Sequence, residues 1–285
     1  MTLPSLTLLT QAVLSGIFVG ALYGLLGLGL SLSWGLLRQI NLSHFALAFL
    51  GAYLTYHLVT VAGLDPLLTV LVVAPCFFAA GAAIHWLLAG FAVTALNSLL
   101  VTFGMTVIVE SVIQWYWTAD FRRMASRYAD ITFRLGPAYL PLPDVLTFAL
   151  SLCLCLALWA TLRYTDLGKA LRAAAEDGEI AAAFGVNQRL LAALLSGVCA
   201  ALAAVAGLCL ALSYTLTPSQ IYAWIGVVFA AVMIGGLGSA LGPLVAGIVI
   251  GVAEAITMAV TAPSWAPLVS FSLLIVVLLV RPGRA

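Results

Sequence analysis

Two carboxylates, Glu110 and Glu254, fall inside long apolar runs of this 285-residue sequence, and a third, Asp65, stands at the edge of one. An ionised group in hydrocarbon costs about 2.5–3.5 kcal/mol by insertion scales, so it faces a bundle interior or a water-filled cavity. Glu254 lies about eight residues from the end of its run, roughly 12 Å deep at the helical rise. That depth suits either a solute pathway or a hydrogen bond between helices. Glu110 shares a helix face with Gln114 and lies near Trp115 and Trp117, which look like an interfacial aromatic belt. It is equally suited to snorkelling toward headgroups.

Two polar segments offer further chemistry. In Arg38-Gln39-Ile40-Asn41-Leu42-Ser43-His44, the side chains of Asn41, Ser43 and His44 supply hydrogen-bonding groups where a helix breaks. Broken helices form substrate sites in some transporters; the plainer reading is a polar turn in which Asn41 or Ser43 caps the next helix. The second segment, Leu167 to Val186, is alanine-rich and carries glycines at Gly178 and Gly185. An amphipathic helix ending in Phe184-Gly185 is shaped to enter a partner's groove, and a solvated loop helix is the alternative. No enzyme constellation accompanies these groups: there is no Walker A loop, no His-Glu-x-x-His and no Gly-x-Ser-x-Gly. His44, His57 and His85 are scattered, and the five cysteines lie in apolar runs without metal-ligand spacing. The expectation is no catalytic residue, no metal site and no cofactor, with any ATP hydrolysis supplied by another chain.

The elements that position these groups follow from composition. Hydrophobic residues make up 64% of the chain and charged residues only 7%, whereas a water-facing domain carries about 25% charge. Continuous apolar runs fall at about 8–33, 44–63, 67–89, 91–117, 145–163, 189–213, 221–237, 241–262 and 267–280. A helix crosses the hydrocarbon with about 20 such residues, and the absence of alternation excludes a membrane β-barrel. The expectation is an all-α integral membrane protein, a polytopic bundle of eight or nine spans forming one domain over 1–285, with one segment of 64–117 open to being short, broken or re-entrant. The first run is too long, and lacks the basic flank, for a signal peptide. A net charge of +1 gives no signal for nucleic acid.

Polar stretches at about 118–143 and 164–188 are separated by one span, so they face opposite sides. Each side of that span carries four Lys or Arg: Arg122, Arg123, Arg127 and Arg134 against Arg163, Lys169, Arg172 and Arg189. Arg38, Arg281 and Arg284 join the second group if nine runs cross, which makes that side cytoplasmic by the positive-inside rule and 118–143 external. Glycines recur at spacing four in Gly16, Gly20 and Gly24, in Gly238 and Gly242, and in Gly247 and Gly251, a pattern of close helix packing. Gly235-Gly236-Leu237-Gly238-Ser239 reads as a tight turn or helix break.

Taken in order, these pieces resemble the permease subunits of LIV-type (branched-chain amino acid) ABC importers over nearly the whole chain. Gly20 to Leu30 and Gly35 to Arg38 look like the first helix of that family, and Ile40 to His44 like its Asn-x-x-His turn. Glu179, Ala181 and Gly185 occupy the first, third and seventh positions of the EAA-x3-G coupling pattern, with Ile180 in its middle. Gly235 to Gly242 and Gly251 to Ala255 look like the penultimate spans. Phe45-Ala46-Leu47 departs from the small and polar residues that usually follow the turn. The resemblance implies a multi-pass inner-membrane subunit working by alternating access, with a second permease (paralogue or copy), two ATP-binding subunits and a periplasmic solute-binding protein. It implies coupling through Glu179, Ala181, Phe184 and Gly185 within 168–186, and a translocation path near Asn41, Ser43, His44 and Glu254. Arg122, Arg123 and Arg127 are expected to dock the binding protein. The solute class is branched-chain amino acids or similar small solutes such as urea or amides. The alternative is an autonomous secondary transporter or channel, which would need its own ion site.

Overall fold

The computed structural model describes residues 5–90, 95–136 and 138–280. Its elements in chain order are α1 (Leu6–Leu37), α2 (Ser43–Ala62), α3 (Pro66–Gly90), α4 (Ala95–Trp117), β1 (Thr132–Leu135), β2 (Ala138–Pro141), α5 (Leu142–Tyr164), α6 (Asp166–Glu176), α7 (Gly178–Ala183), α8 (Gln188–Ser213), α9 (Ile221–Gly235), α10 (Gly242–Val260) and α11 (Ala266–Val280). Eight of the described helices are long and apolar enough to cross a membrane, α9 together with the 3-10 turn Pro218–Gln220 that leads into it, and α11 is a shorter apolar helix. The uncertain stretch 64–117 forms two helices, α3 and α4, on either side of 91–94, which lie outside the described residues. Pro75 sits within α3 without ending it.

Tertiary hydrogen bonds define two ends. At one, the Arg38 guanidinium donates to the Ala175 carbonyl at 2.9 Å, joining the end of α1 to α6. At the other, Arg122 and Leu216 form an antiparallel bridge, and the Tyr128 hydroxyl reaches both Asp65 carboxylate oxygens at 2.8 Å. Gln11 fastens the start of α1 there as well, its amide exchanging two 2.9 Å bonds with the Tyr139 backbone at the edge of the β1–β2 hairpin. Arg38 and the stretch 163–189 thus occupy one end and 118–141 the other; Arg281, Arg284 and Pro137 lie outside the described residues.

Helices hydrophobic all round are buried helices, and α8 fits that rule, with its second half from Leu202 to Leu212 enclosed by α1, α2 and α3. The spaced glycines of α1 and α10 meet one another in antiparallel order. A Cβ on Gly16 would lie 2.6 Å from Val252 Cα, and one on Gly24 would lie 2.6 Å from Leu244 Cα. The two backbones touch directly, as small residues allow. On the outer faces large apolar side chains project outward, among them Leu71 (72% exposed), Trp86 (71%) and Leu279 (74%). Water would not tolerate such a surface at this density; acyl chains do.

The glycine-rich segment after α9 is the expected tight turn. Gly236 and Gly238 take φ of +89° and +74°, a region L side chains avoid. The Gly238 N–H donates to the Ser31 carbonyl at 3.0 Å, and the Ser31 hydroxyl lies 3.1 Å from the Ser239 carbonyl and 3.3 Å from that of Gly236. The turn therefore replaces its missing helical bonds with bonds to α1.

Candidate translocation and coupling sites

The first site is the break between α1 and α2. α1 ends at Arg38 in the left-handed region, φ 54°, and residues 38–42 carry no regular helical pairing. Backbone of this kind within a bundle needs other partners. Thr102 of α4 supplies them: its Oγ1 accepts the Leu42 N–H at 3.1 Å and lies 3.3 Å from the Ile40 carbonyl. The Ser33 hydroxyl reaches the Gln39 carbonyl at 3.3 Å. Neither Asn41 nor Ser43 caps α2. The N-cap is Leu42 with no side-chain bond, and the Ser43 hydroxyl donates to Asn41 Oδ1 at 2.5 Å instead. His44 is buried, and its Nε2–H donates to the Leu26 carbonyl at 3.0 Å. Ser33, Asn41, His44, Ser196 and Ala200 are among the residues lining a cavity of about 10 Å³, room for one water at most. In this conformation the site is shut to any larger solute.

Glu254 forms a second buried cluster. Its carboxylate accepts from Tyr23 Oη of α1 at 2.9 Å and from Ser270 Oγ of α11, so one side chain of α10 ties three helices together. Tyr23 packs edge-on against Trp224, which packs edge-on against Tyr214. His44 and Glu254 both reach α1, but at Leu26 and Tyr23 and from different neighbours.

The third site is the segment 164–188. Its helices are delimited by side-chain caps: Thr165 accepts from Gly168 N at 3.2 Å, Asp177 from Glu179 N and Ile180 N at 3.0 and 3.1 Å, and Asn187 from Leu190 N at 3.1 Å. Such caps satisfy amides that the first turn leaves unpaired. Asp166 and Lys169 pair at 2.9 Å, and that bond, with the charge behind it, holds the Asp166 carboxyl below its ordinary range. Ala181 is buried, Glu179 is exposed, and Gly185 has φ +87° with open space around it. Phe184 is 85% exposed and Ile180, four residues earlier, 58% exposed. An apolar pair at this spacing forms one projecting face.

The arginines at the opposite end divide. Arg122 is committed within the chain, donating to the Trp117 carbonyl at 3.1 Å and to Thr118 Oγ1 at 3.2 Å, with Asp120 at 3.9 Å. Arg123 and Arg127 are exposed. Sequence reasoning missed Thr102, Tyr23, Ser270 and Asp177. A signal for the first was present: Ser98, Thr102 and Thr106 repeat at spacing four on α4 and all are buried. None marked Tyr23 and Ser270 as partners of Glu254. Among the described residues, no group of three or more His, Cys, Asp or Glu gathers to hold a metal ion.

The family described as branched-chain amino acid transport system / permease component matches residues 12–278. The chain belongs to this family. Among its relatives are the high-affinity branched-chain amino acid transport system permease proteins LivH of Salmonella typhimurium and of Escherichia coli K12, each 28% identical over 95% of this chain and 93% of the relative. The corresponding permease protein BraD of Pseudomonas aeruginosa is 26% identical over 95% of this chain and 94% of its own length. No solved structure matches the chain at a significant level. As a member of this permease family, the chain is a transport subunit with multiple membrane spans.

Proposed function

We propose that this permease component translocates branched-chain amino acids or similar small solutes across the bacterial inner membrane, driven by two separate ATP-binding subunits. The observation that carries the reading is the exposed Ile180–Phe184 face on a doubly capped helical segment, at the end of the bundle that holds Arg38. An aromatic side chain 85% exposed in a water-facing loop is an anchor for a partner's groove. That end carries Arg38, Arg163, Lys169, Arg172 and Arg189 against four arginines at the other, which favours a cytoplasmic assignment.

The mechanism follows from the contacts. Displacement of α6 and α7 by the ATPase pair passes to α1 through the Arg38–Ala175 bond, and to α5 through Gly168, which lies against the Leu162 backbone. α1 borders both the closed cavity at His44 and the Glu254 cluster. A shift of α1 against α2 and α8 opens the first, and the segment 38–42, held by side chains instead of helical pairing, is the place where the path changes shape. A second permease completes the pathway. A solute-binding protein docks at the far end on Arg123 and Arg127, with Arg122 holding the loop that presents them.

The test is co-purification with the ATP-binding subunits, comparing wild type, Phe184→Asp and Gly185→Glu. Burying a Phe side chain is worth about 1.5–3 kcal/mol, so Phe184→Asp weakens capture by at least 10-fold without cost to the fold. Gly185→Glu adds strain at φ +87°. Capture unaffected by Phe184→Asp overturns the interface; no capture by any form makes an autonomous transporter the better reading.

A further inference from the structure

Three carboxylates lie in the described spanning helices, each in a different setting. Asp144, in the first turn of α5, accepts from the Ser213 hydroxyl at 3.1 Å. Glu254 is buried between Tyr23 and Ser270. Glu110 differs. It sits seven residues before Trp117, the last residue of α4, about 10 Å below that end at the helical rise. The residue is half-buried and its carboxylate bridges α4 to α9 through Tyr222. Gln114 Nε2 donates to one carboxylate oxygen at 3.1 Å, and Tyr222 Oη to the other at 2.7 Å. Gln114 and Ser111 are exposed, and Tyr222 is 39% exposed. Among the described residues no Lys, Arg or His pairs with this carboxylate.

Two neutral donors orient a carboxylate but do not cancel its charge, and an unpaired anion facing acyl chains is costly. The same anion facing a water-filled path is a cation site. Its two oxygens are held in place by groups on two helices, and each keeps a lone pair free on the open side. We propose that Glu110 lines the solute path in the half of the membrane nearer the Arg122 end and receives the primary ammonium group of an amino-acid solute, with Gln114 and Tyr222 as positioning residues. The inference rests on the reading of the chain as an amino-acid permease. It makes Glu110 a determinant of the solute class: a neutral amide or a bare carboxylic acid gains nothing from it. It also places a second polar station above the closed cavity at His44, on the side from which the solute arrives.

The test uses the assembled transporter in liposomes, with the five native cysteines replaced and Gln114→Cys introduced as a probe beside an intact Glu110. A cationic, impermeant methanethiosulfonate reagent is expected to label Cys at this position at least 10-fold faster than an anionic one. Adding Glu110→Gln removes the preference. Leucine slows labelling severalfold, and 4-methylpentanoate, which lacks only the amino group, does not. Glu110→Gln lowers uptake kcat/KM about 10-fold for leucine while capture of the ATP-binding subunits is unchanged, and Glu110→Asp restores part of it. Failure of both reagents to label would mean a lipid-facing or subunit-buried position and overturns the proposal. Cationic preference without leucine protection overturns it in favour of an inorganic cation. Labelling is read without ATP and is repeated on the permease reconstituted without ATP-binding subunits, so a failed capture experiment and a failed cation site give separate results.

Discussion

Gly20→Ala and Gly104→Ala add the same methyl group to two spanning helices, and the structure demands opposite outcomes. A Cβ at Gly20 would lie 2.5 Å from Ile248 Cα and 2.8 Å from the Gly247 carbonyl carbon; one at Gly104 meets nothing within 4 Å. Carbon atoms attract best at about 3.5–4.0 Å, so α10 must retreat by roughly 1 Å at Gly20. The atoms in the way are backbone, and no rotamer change relieves them. A radial gap of that size forfeits a quarter to a half of each contact it opens, and it opens them along the turns flanked by Gly16 and Gly24. Overpacking of this kind costs about 1–3 kcal/mol, and the rigid partner argues for the upper half. The helix-propensity gain of Gly→Ala, about 1 kcal/mol, is common to both variants and cancels in their difference. At about 2–4 °C per kcal/mol, the two melting temperatures should separate by roughly 5–10 °C, with Gly104→Ala at or above wild type. Thermal unfolding in detergent, followed by size-exclusion of the surviving monodisperse fraction, measures it. A separation below about 2 °C, or Gly20→Ala as the more stable variant, would refute the backbone-contact seam.

Two other outcomes follow from named contacts. Glu254→Ala strands the Tyr23 and Ser270 hydroxyls, at about 1–3 kcal/mol for each buried group left unpaired, whereas Glu254→Gln keeps an acceptor and stays within about 1 kcal/mol of wild type in the same melting assay; equal losses in the two variants count against the cluster. The hydrogen bond to Asp65, then partial burial and the Asp65 charge, raise the Tyr128 hydroxyl above its ordinary value. Its contribution is therefore fully present below about pH 10 and lost as pH rises through the raised value, so protease resistance of wild type should converge on that of Tyr128→Phe in strong base and exceed it near neutrality, a constant gap being the contrary result.

What was legible in the sequence was whatever a single helix declares about itself. The apolar runs gave the spans, and spacing of four gave the glycine faces of α1 and α10. The turn at 235–239 was visible because three glycines cannot hold a helix interior together. Neighbour choice was not legible. Periodicity says which face of α1 is bare, but not that the face of α10 lies against it, nor that Gly20 is opposite Gly247. Glu254 was identifiable as a buried carboxylate, while its donors stand 231 and 16 positions away with nothing in their spacing to connect them. Arg122 looked like a free surface cation because its nearest guanidinium partners, the Trp117 carbonyl and Thr118 Oγ1, carry no charge. The helix break at 38–42 was readable, and its support by Thr102 across 60 positions was not. Sequence patterns of this protein encode faces; the fold supplies what each face meets.

α1 has 32 residues, about 48 Å of helix against a hydrocarbon thickness of about 30 Å. It is pinned at Gln11 to the hairpin at one end of the bundle and at Arg38 to α6 at the other. A helix of that length fixed at both ends behaves as a strut. Under the proposed function, a push on α6 passes along this helix to the hairpin at the opposite end of the bundle. The two surfaces proposed to meet partners are thus two ends of a single stiff rod, so that a partner holding one end still would resist motion at the other.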